Sequence, residues 1–154
     1  TSCGGGGTVP HARTLGITIP RGVADGARLR LAGQGEPAPV GGSPGDLYVR
    51  VRVRPDPRFH RKGVDIHSDA TIDMLEAALG AVLEVDTLQG TVELTVPAGT
   101  QPEALLRLRG RGVKSPDGRT GDHYVRVHVR IPRTLTGKQR ELLQEAAKVK
   151  AGTG

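Results

Sequence analysis

The chain has 154 residues and a formal net charge of +6, with 36% hydrophobic and only 2% aromatic residues. Tyr48, Phe59 and Tyr124 are the whole aromatic complement, so any core is built from Val, Leu, Ile and Ala, and stacking on nucleobases or sugars is disfavoured. Cys3 is the single cysteine, which excludes an internal disulfide and a thiolate metal cluster completed within the chain. No apolar run approaches the roughly 18 residues of a membrane span, and a reducing, cytoplasmic setting is the expectation.

Residues 1–14 contain Gly4-Gly5-Gly6-Gly7 and read as an irregular lead-in, because glycine loses much backbone entropy on ordering. Leu15-Gly16-Ile17-Thr18-Ile19 alternates with the period of a half-buried strand, which Pro20 ends. A turn at Pro20-Arg21-Gly22 leads to a second alternating run, Ala27–Leu31, and then to a Pro- and Gly-rich loop over 36–45. Residues 47–54, Leu-Tyr-Val-Arg-Val-Arg-Val-Arg, carry the strongest strand pattern, with one apolar face and one of Tyr and Arg. Pro55 and Pro57 close that strand, and 55–63 read as a connector with Phe59 as an anchor between halves.

A strand over 64–72 follows, then a capping box, Asp73-Met74-Leu75-Glu76, starting a short helix 74–79 that should stop at a left-handed Gly80. Strands are predicted at 81–86, 91–96, 104–109 and 122–131. A second capping box, Thr136-Gly137-Lys138-Gln139, starts a helix to about Lys150 with Leu142, Leu143, Ala146, Ala147 and Val149 on one side.

Two blocks recur. Pro20, Gly22, Ala27, Leu29, Leu31, Gly33 and Gly35 match Pro97, Gly99, Ala104, Leu106, Leu108, Gly110 and Gly112, and Gly45-Asp46-Leu47-Tyr48-Val49-Arg50 matches Gly121-Asp122-His123-Tyr124-Val125-Arg126. A long period present twice implies sister domains rather than a solenoid. The run 64–95 has no counterpart before the first block, so the first domain is expected to lack its opening strand and helix.

The Pro-x-Gly turns, the Gly-Asp-x-Tyr-Val strands, Pro57–Asp65, Ala77-Ala78-Leu79-Gly80, Thr87-Leu88-Gln89-Gly90, Pro97–Gln101 and Leu135–Gln139, in that order, resemble the C-terminal substrate-binding region of the DnaJ family of J-domain co-chaperones. The resemblance implies a mainly β chain of two tandem barrel-like β-sandwich domains, the first one incomplete, with a C-terminal dimerisation helix. The corresponding division is 1–14 lead-in, 15–58 partial first domain, 59–132 second domain and 133–154 helix and tail. It also implies binding of unfolded client polypeptides, delivery to a DnaK-type ATPase chaperone in protein folding and the stress response, a homodimer, and no catalysis. In the family's prototype class a zinc-binding insertion precedes the strand matching 15–19. Cys3, Gly5 and Gly7 fit its last half-repeat, which makes Cys3 an orphan zinc ligand: no cofactor is expected in this chain, and zinc belongs to a longer parent.

The family's client groove maps onto Leu15 and Val49, with Ile17 and Val51 as neighbours on their faces; the plainer reading of all four is core. Arg50, Arg52 and Arg54, echoed by Arg126, His128 and Arg130, are a solvated face on the plain reading. On the sharper one they contact the acidic tail of the partner ATPase or the phosphates of DNA, as in the curved-DNA-binding branch of the family. Asp65-Ile66-His67-Ser68-Asp69 and Asp122-His123 lack a convergent second cluster and read as strand faces. Leu142, Leu143, Ala146 and Ala147 are the dimerisation candidates.

Overall fold

The computed structural model describes residues 14–38 and 41–149; Cys3 and most of the lead-in lie outside them. Ordered by chain contacts, the protein divides into two compact units, one ending at Val51 and one starting at Arg52. Strands dominate, and a helix closes the chain. No closed barrel forms among the described residues.

The first unit holds one antiparallel pair, β1 (Arg28–Leu31) and β2 (Leu47–Arg50). The second contains β3 (His60–Lys62), β4 (Asp65–Asp73), α1 (Met74–Leu79), β5 (Ala81–Thr87), β6 (Gly90–Val96), β7 (Leu105–Leu108), β8 (His123–Arg130) and α2 (Gly137–Lys148). Its four-stranded sheet runs β3-β4-β8-β7, and β5 and β6 form a separate hairpin. The β4–β8 pairing is parallel, from Ile66↔His123 to Asp73↔Arg130.

Alternation puts Ile66 and Ile72 of β4 and Val125 and Val127 of β8 on the inner face, where Ile72, Val125 and Val127 meet Val85, Leu94 and Val96 of the hairpin and Ala77 of α1. This is a small sandwich. Among the described residues every buried side chain belongs to the second unit; the first has none.

Both capping boxes form. Asp73 Oδ1 accepts from Leu75 N–H at 2.8 Å while Glu76 accepts from Asp73 N–H at 2.9 Å. Thr136 and Gln139 exchange bonds of 3.1 Å in the same way. Gly80 ends α1 as expected, but at φ 90° and ψ 153° it turns the chain straight into β5 rather than forming a left-handed cap.

Three expectations change. Residues 15–19 form no strand: their alternation survives, but a strand is a paired object, and no ladder reaches them among the described residues. The 47–54 pattern yields a strand only to Arg50, with Val51 N–H still donating to Ala27 O at 2.8 Å. Its counterpart β8 continues to Arg130 because β4 pairs with it over that whole length. Conversely, the connector contains β3, whose three exposed polar residues have no apolar alternation and are set by pairing with β4 across the turn at Gly63, φ 62°.

Glycine at 112 and 121 is demanded by the β4–β8 junction. An added Cβ would lie 2.5 Å from Val64 O at Gly112 and 1.9 Å from it at Gly121, whereas at Gly45, the counterpart of Gly121, the nearest atom is 3.9 Å away. Gly121→Ala should therefore destabilise the second unit by about 3 kcal/mol or more, as overpacking against backbone does. Gly45→Ala should shift stability by less than about 0.5 kcal/mol. Urea unfolding of the two variants, followed by circular dichroism, checks the contrast.

Candidate functional site

In the first unit, Leu29 pairs with Val49 and Leu31 with Leu47, so these four side chains share one face, extended by Ala27 and Val51. All six are half-buried. The opposite face carries Arg28, Arg30, Tyr48 and Arg50, with the Arg28 guanidinium 5.0 Å from the Tyr48 ring centroid. Sequence reasoning named Val49 and Val51 but missed Leu29, Leu31 and Leu47, although their two-residue period carries the same signal.

The face is held by an aspartate at the entrance of β2. Asp46 accepts from Gly33 N–H at 3.1 Å and from Arg30 Nε at 2.7 Å. The second unit repeats the device, with Asp122 accepting from Gly110 N–H at 2.8 Å and Arg107 Nε at 2.7 Å. The glycine N–H and then the arginine hold both carboxyls below the usual range. The repeat is thus one structural solution used twice.

What differs is the covering. Ile17 is 39% exposed and Leu15, Val49 and Val51 are half-buried, whereas the residues at the equivalent repeat positions of the last three, Val92, Val125 and Val127, include two of zero exposure, and Leu94, opposite number of Ile17, is at 6%. In the second unit β4 lies along β8 and the β5–β6 hairpin closes over it. Among the described residues the first unit has no counterpart of either. The face unites Val49 and Val51; Leu15 and Ile17 lie outside any ladder.

Charge follows the same contrast. Arg126 pairs with Glu103 at 3.4 Å, and His128 sits between Glu103 Oε1 at 3.0 Å and Asp69 Oδ1 at 2.8 Å. Glu103 holds φ at 67°, the one positive value outside glycine among the described residues, and the repeat places Gly26 there in the first unit. Arg50 is exposed on β2, while Arg52 and Arg54 are exposed beyond its end, so the three do not form one strand face; none has an ion-pair partner among the described residues.

The second unit also has an open cleft of about 360 Å³ between β4 and β5, lined by Phe59, Ser68, Ala70, Glu84, Val85 and Asp86 among others. Behind it, fully buried His123 bonds Ser68 Oγ through Nε2 at 2.6 Å, its Nδ1 unpartnered, and the Phe59 ring meets it edge-on at 5.8 Å. The Asp65–Asp69 run has structural partners: Asp65 Oδ1 accepts from Asp122 N–H, His67 stacks on Tyr124, and Asp69 holds His128. No group of three metal-ligating side chains converges among the described residues.

On α2, Leu142 is 51% exposed, Leu143 half-buried, and Ala146 and Ala147 exposed; the helix has no buried residue. No described helix is long and apolar enough to cross a membrane.

His123 and His128 titrate in opposite senses. Burial lowers the His123 pKa, so the second unit loses stability as pH falls below the unfolded value of about 6.5. The hydrogen bond to Asp69, with Glu103 assisting, raises that of His128, whose contribution is complete below about 6.5 and lost as pH rises through the raised value. Thermal unfolding across pH should show stability falling on both sides; His128→Gln should flatten the alkaline limb and His123→Leu the acid limb. Unchanged limbs would refute the assignment.

The amino-acid sequence matches known proteins over nearly its whole length. The profile of the DnaJ C terminal domain family covers residues 8–132. The chain is 48% identical over 151 residues to "Chaperone protein DnaJ" of Xylella fastidiosa (strain 9a5c), covering 97% of this chain and 41% of the relative. It is also 48% identical over 152 residues to the protein of the same name from Thermosynechococcus vestitus, covering 97% of this chain and 40% of the relative. For Lactobacillus johnsonii the identity is 46% over 154 residues, 99% of this chain and 39% of the relative. The chain spans about two fifths of the length of these relatives. With the duplicated Gly-Asp-x-Tyr-Val strands, the small sandwich and the matched profile, the chain belongs to the DnaJ C-terminal domain family.

Proposed function

We propose that this chain is the client-binding and dimerising part of a DnaJ-type co-chaperone, taking extended apolar segments of unfolded proteins in the cytoplasm and passing them to a DnaK-type ATPase, without catalysis of its own. The observation that carries this reading is the apolar face of the first unit, left half-buried among the described residues, where Val49 and Val51 have fully buried counterparts, Val125 and Val127, in the second. Such a face beside an incompletely paired strand suits an extended peptide: backbone bonds supply affinity for any sequence and apolar contacts supply loose preference. We assign Leu15, Ile17, Val49 and Val51 to the client groove, Val49 and Val51 on this face and Leu15 and Ile17 on the segment that precedes it in the chain.

Arg50, Arg52 and Arg54, without carboxylate partners among the described residues, suit an acidic segment of the ATPase. The half-open apolar side of α2, Leu142, Leu143, Ala146 and Ala147, suits a second copy of the helix.

The purified chain should delay aggregation of a chemically denatured protein, read by light scattering. Ile17→Asp, at a position already open to solvent, puts a charge where the client's apolar side chain would be desolvated and should weaken the protection about tenfold or more. Protection by this variant equal to the parent's, with an unchanged circular dichroism spectrum, would remove the groove assignment. Separately, Leu142→Asp should shift the chain from dimer to monomer in sedimentation velocity; a monomeric parent, or a dimeric variant, would count against the helix as the dimerising element.

A further inference from the structure

We propose that His60 and His67 form a binding site for a divalent transition-metal ion of the zinc, copper or nickel class, on the outer face of the second unit. The antiparallel register sets His60 directly opposite His67, so both side chains leave the same face of the sheet. Directly opposed residues hold their Cβ atoms about 4.5–5.5 Å apart, a separation from which two imidazoles can converge on one ion at about 2.0–2.1 Å.

Both rings are available. His123 is bonded to Ser68, and His128 is held between two carboxylates. Neither the His60 ring nor the His67 ring has a hydrogen bond among the described residues. The His67 contact is a stack on Tyr124, with centroids 5.2 Å apart and planes inclined by 19°. A stack on the ring face leaves the nitrogen lone pairs, which lie in the ring plane, open to a ligand, and it restricts the ring's rotation in advance.

Imidazole suits zinc, copper and nickel rather than magnesium or calcium. No third protein ligand converges among the described residues, so the chain supplies two donors and the remaining positions take water or a donor from another molecule. An ion held there would tie β3, which has three ladder pairs and only exposed residues, to β4. The proposal is independent of the client-binding reading.

Cys3, the single thiol, and His11, the one imidazole outside this unit, could also bind metal, so the full-length chain carrying Cys3→Ser and His11→Ala is the reference. Calorimetric titration with ZnCl2, and with CuCl2 as the tighter probe in the expected affinity order, should give one ion per chain. Losing one of two linked donors should weaken binding on the order of a hundredfold in either His60→Ala or His67→Ala, while His128→Ala binds as the reference does. Equal affinity in the reference and both single variants, or no saturable binding by the reference, overturns the proposal. A second measurement needs no variant within the pair: bound zinc should protect His60 and His67 together from modification by diethyl pyrocarbonate, read by mass spectrometry. Unaltered reactivity of the two rings would equally overturn it.

Discussion

The parallel ladder between β4 and β8 is the interaction on which the second unit depends. It brings together segments more than fifty residues apart, and it requires the backbone of Val64 to approach Gly112 and Gly121 with no room for a side chain. Once β4 lies there, the inner faces of both strands become a floor for the hairpin and α1, apolar apart from the Ser68–His123 pair, and Ile72, Val125 and Val127 fall to 2% exposure or below. The first unit has the same turn, the same aspartate clamp and the same alternating strand, but without an equivalent of β4 among the described residues its apolar side chains stop at half-burial. Burial here is a property of the partner strand more than of the residues buried.

The duplication separates what the strand pattern dictates from what its surroundings dictate. Asp46 and Asp122 make equivalent bonds because turn and aspartate lie in one local stretch of chain. The copies diverge at Leu47 against His123, Gly26 against Glu103 and Arg52 against His128, whereas Tyr48-Val49-Arg50-Val51 recurs unchanged as Tyr124-Val125-Arg126-Val127. Glu103 tolerates a backbone conformation that favours glycine, and its carboxylate binds both Arg126 and His128. Gly26 offers no such group, so Arg126 and His128 have carboxylate partners while their repeat counterparts Arg50 and Arg52 have none among the described residues.

The elements legible in the sequence were those with local causes. The capping boxes placed α1 residue for residue and the start of α2, and alternation placed β5 and β6 to within a residue. Failures came where a strand's existence is decided elsewhere. His60-Arg61-Lys62 has no periodicity and becomes β3 only because β4 offers an edge, while Leu15–Ile19 has the periodicity and no ladder. The apolar face containing Val49 was readable from its two-residue period, but its half-exposed state was not, since that depends on a strand alongside. The cleft between β4 and β5 and the buried Ser68–His123 pair arise from sheet packing and had no sequence signal.

Helix α2 is well capped at its start and buries nothing. Twelve helical residues with no packed face lie near the limit at which a helix persists in water, where nucleation is costly and each turn adds little. Its persistence as a helix then depends on the surface that meets it. Under the dimerising role proposed above, helix formation over 137–148 and assembly would be linked, with protein concentration as the variable.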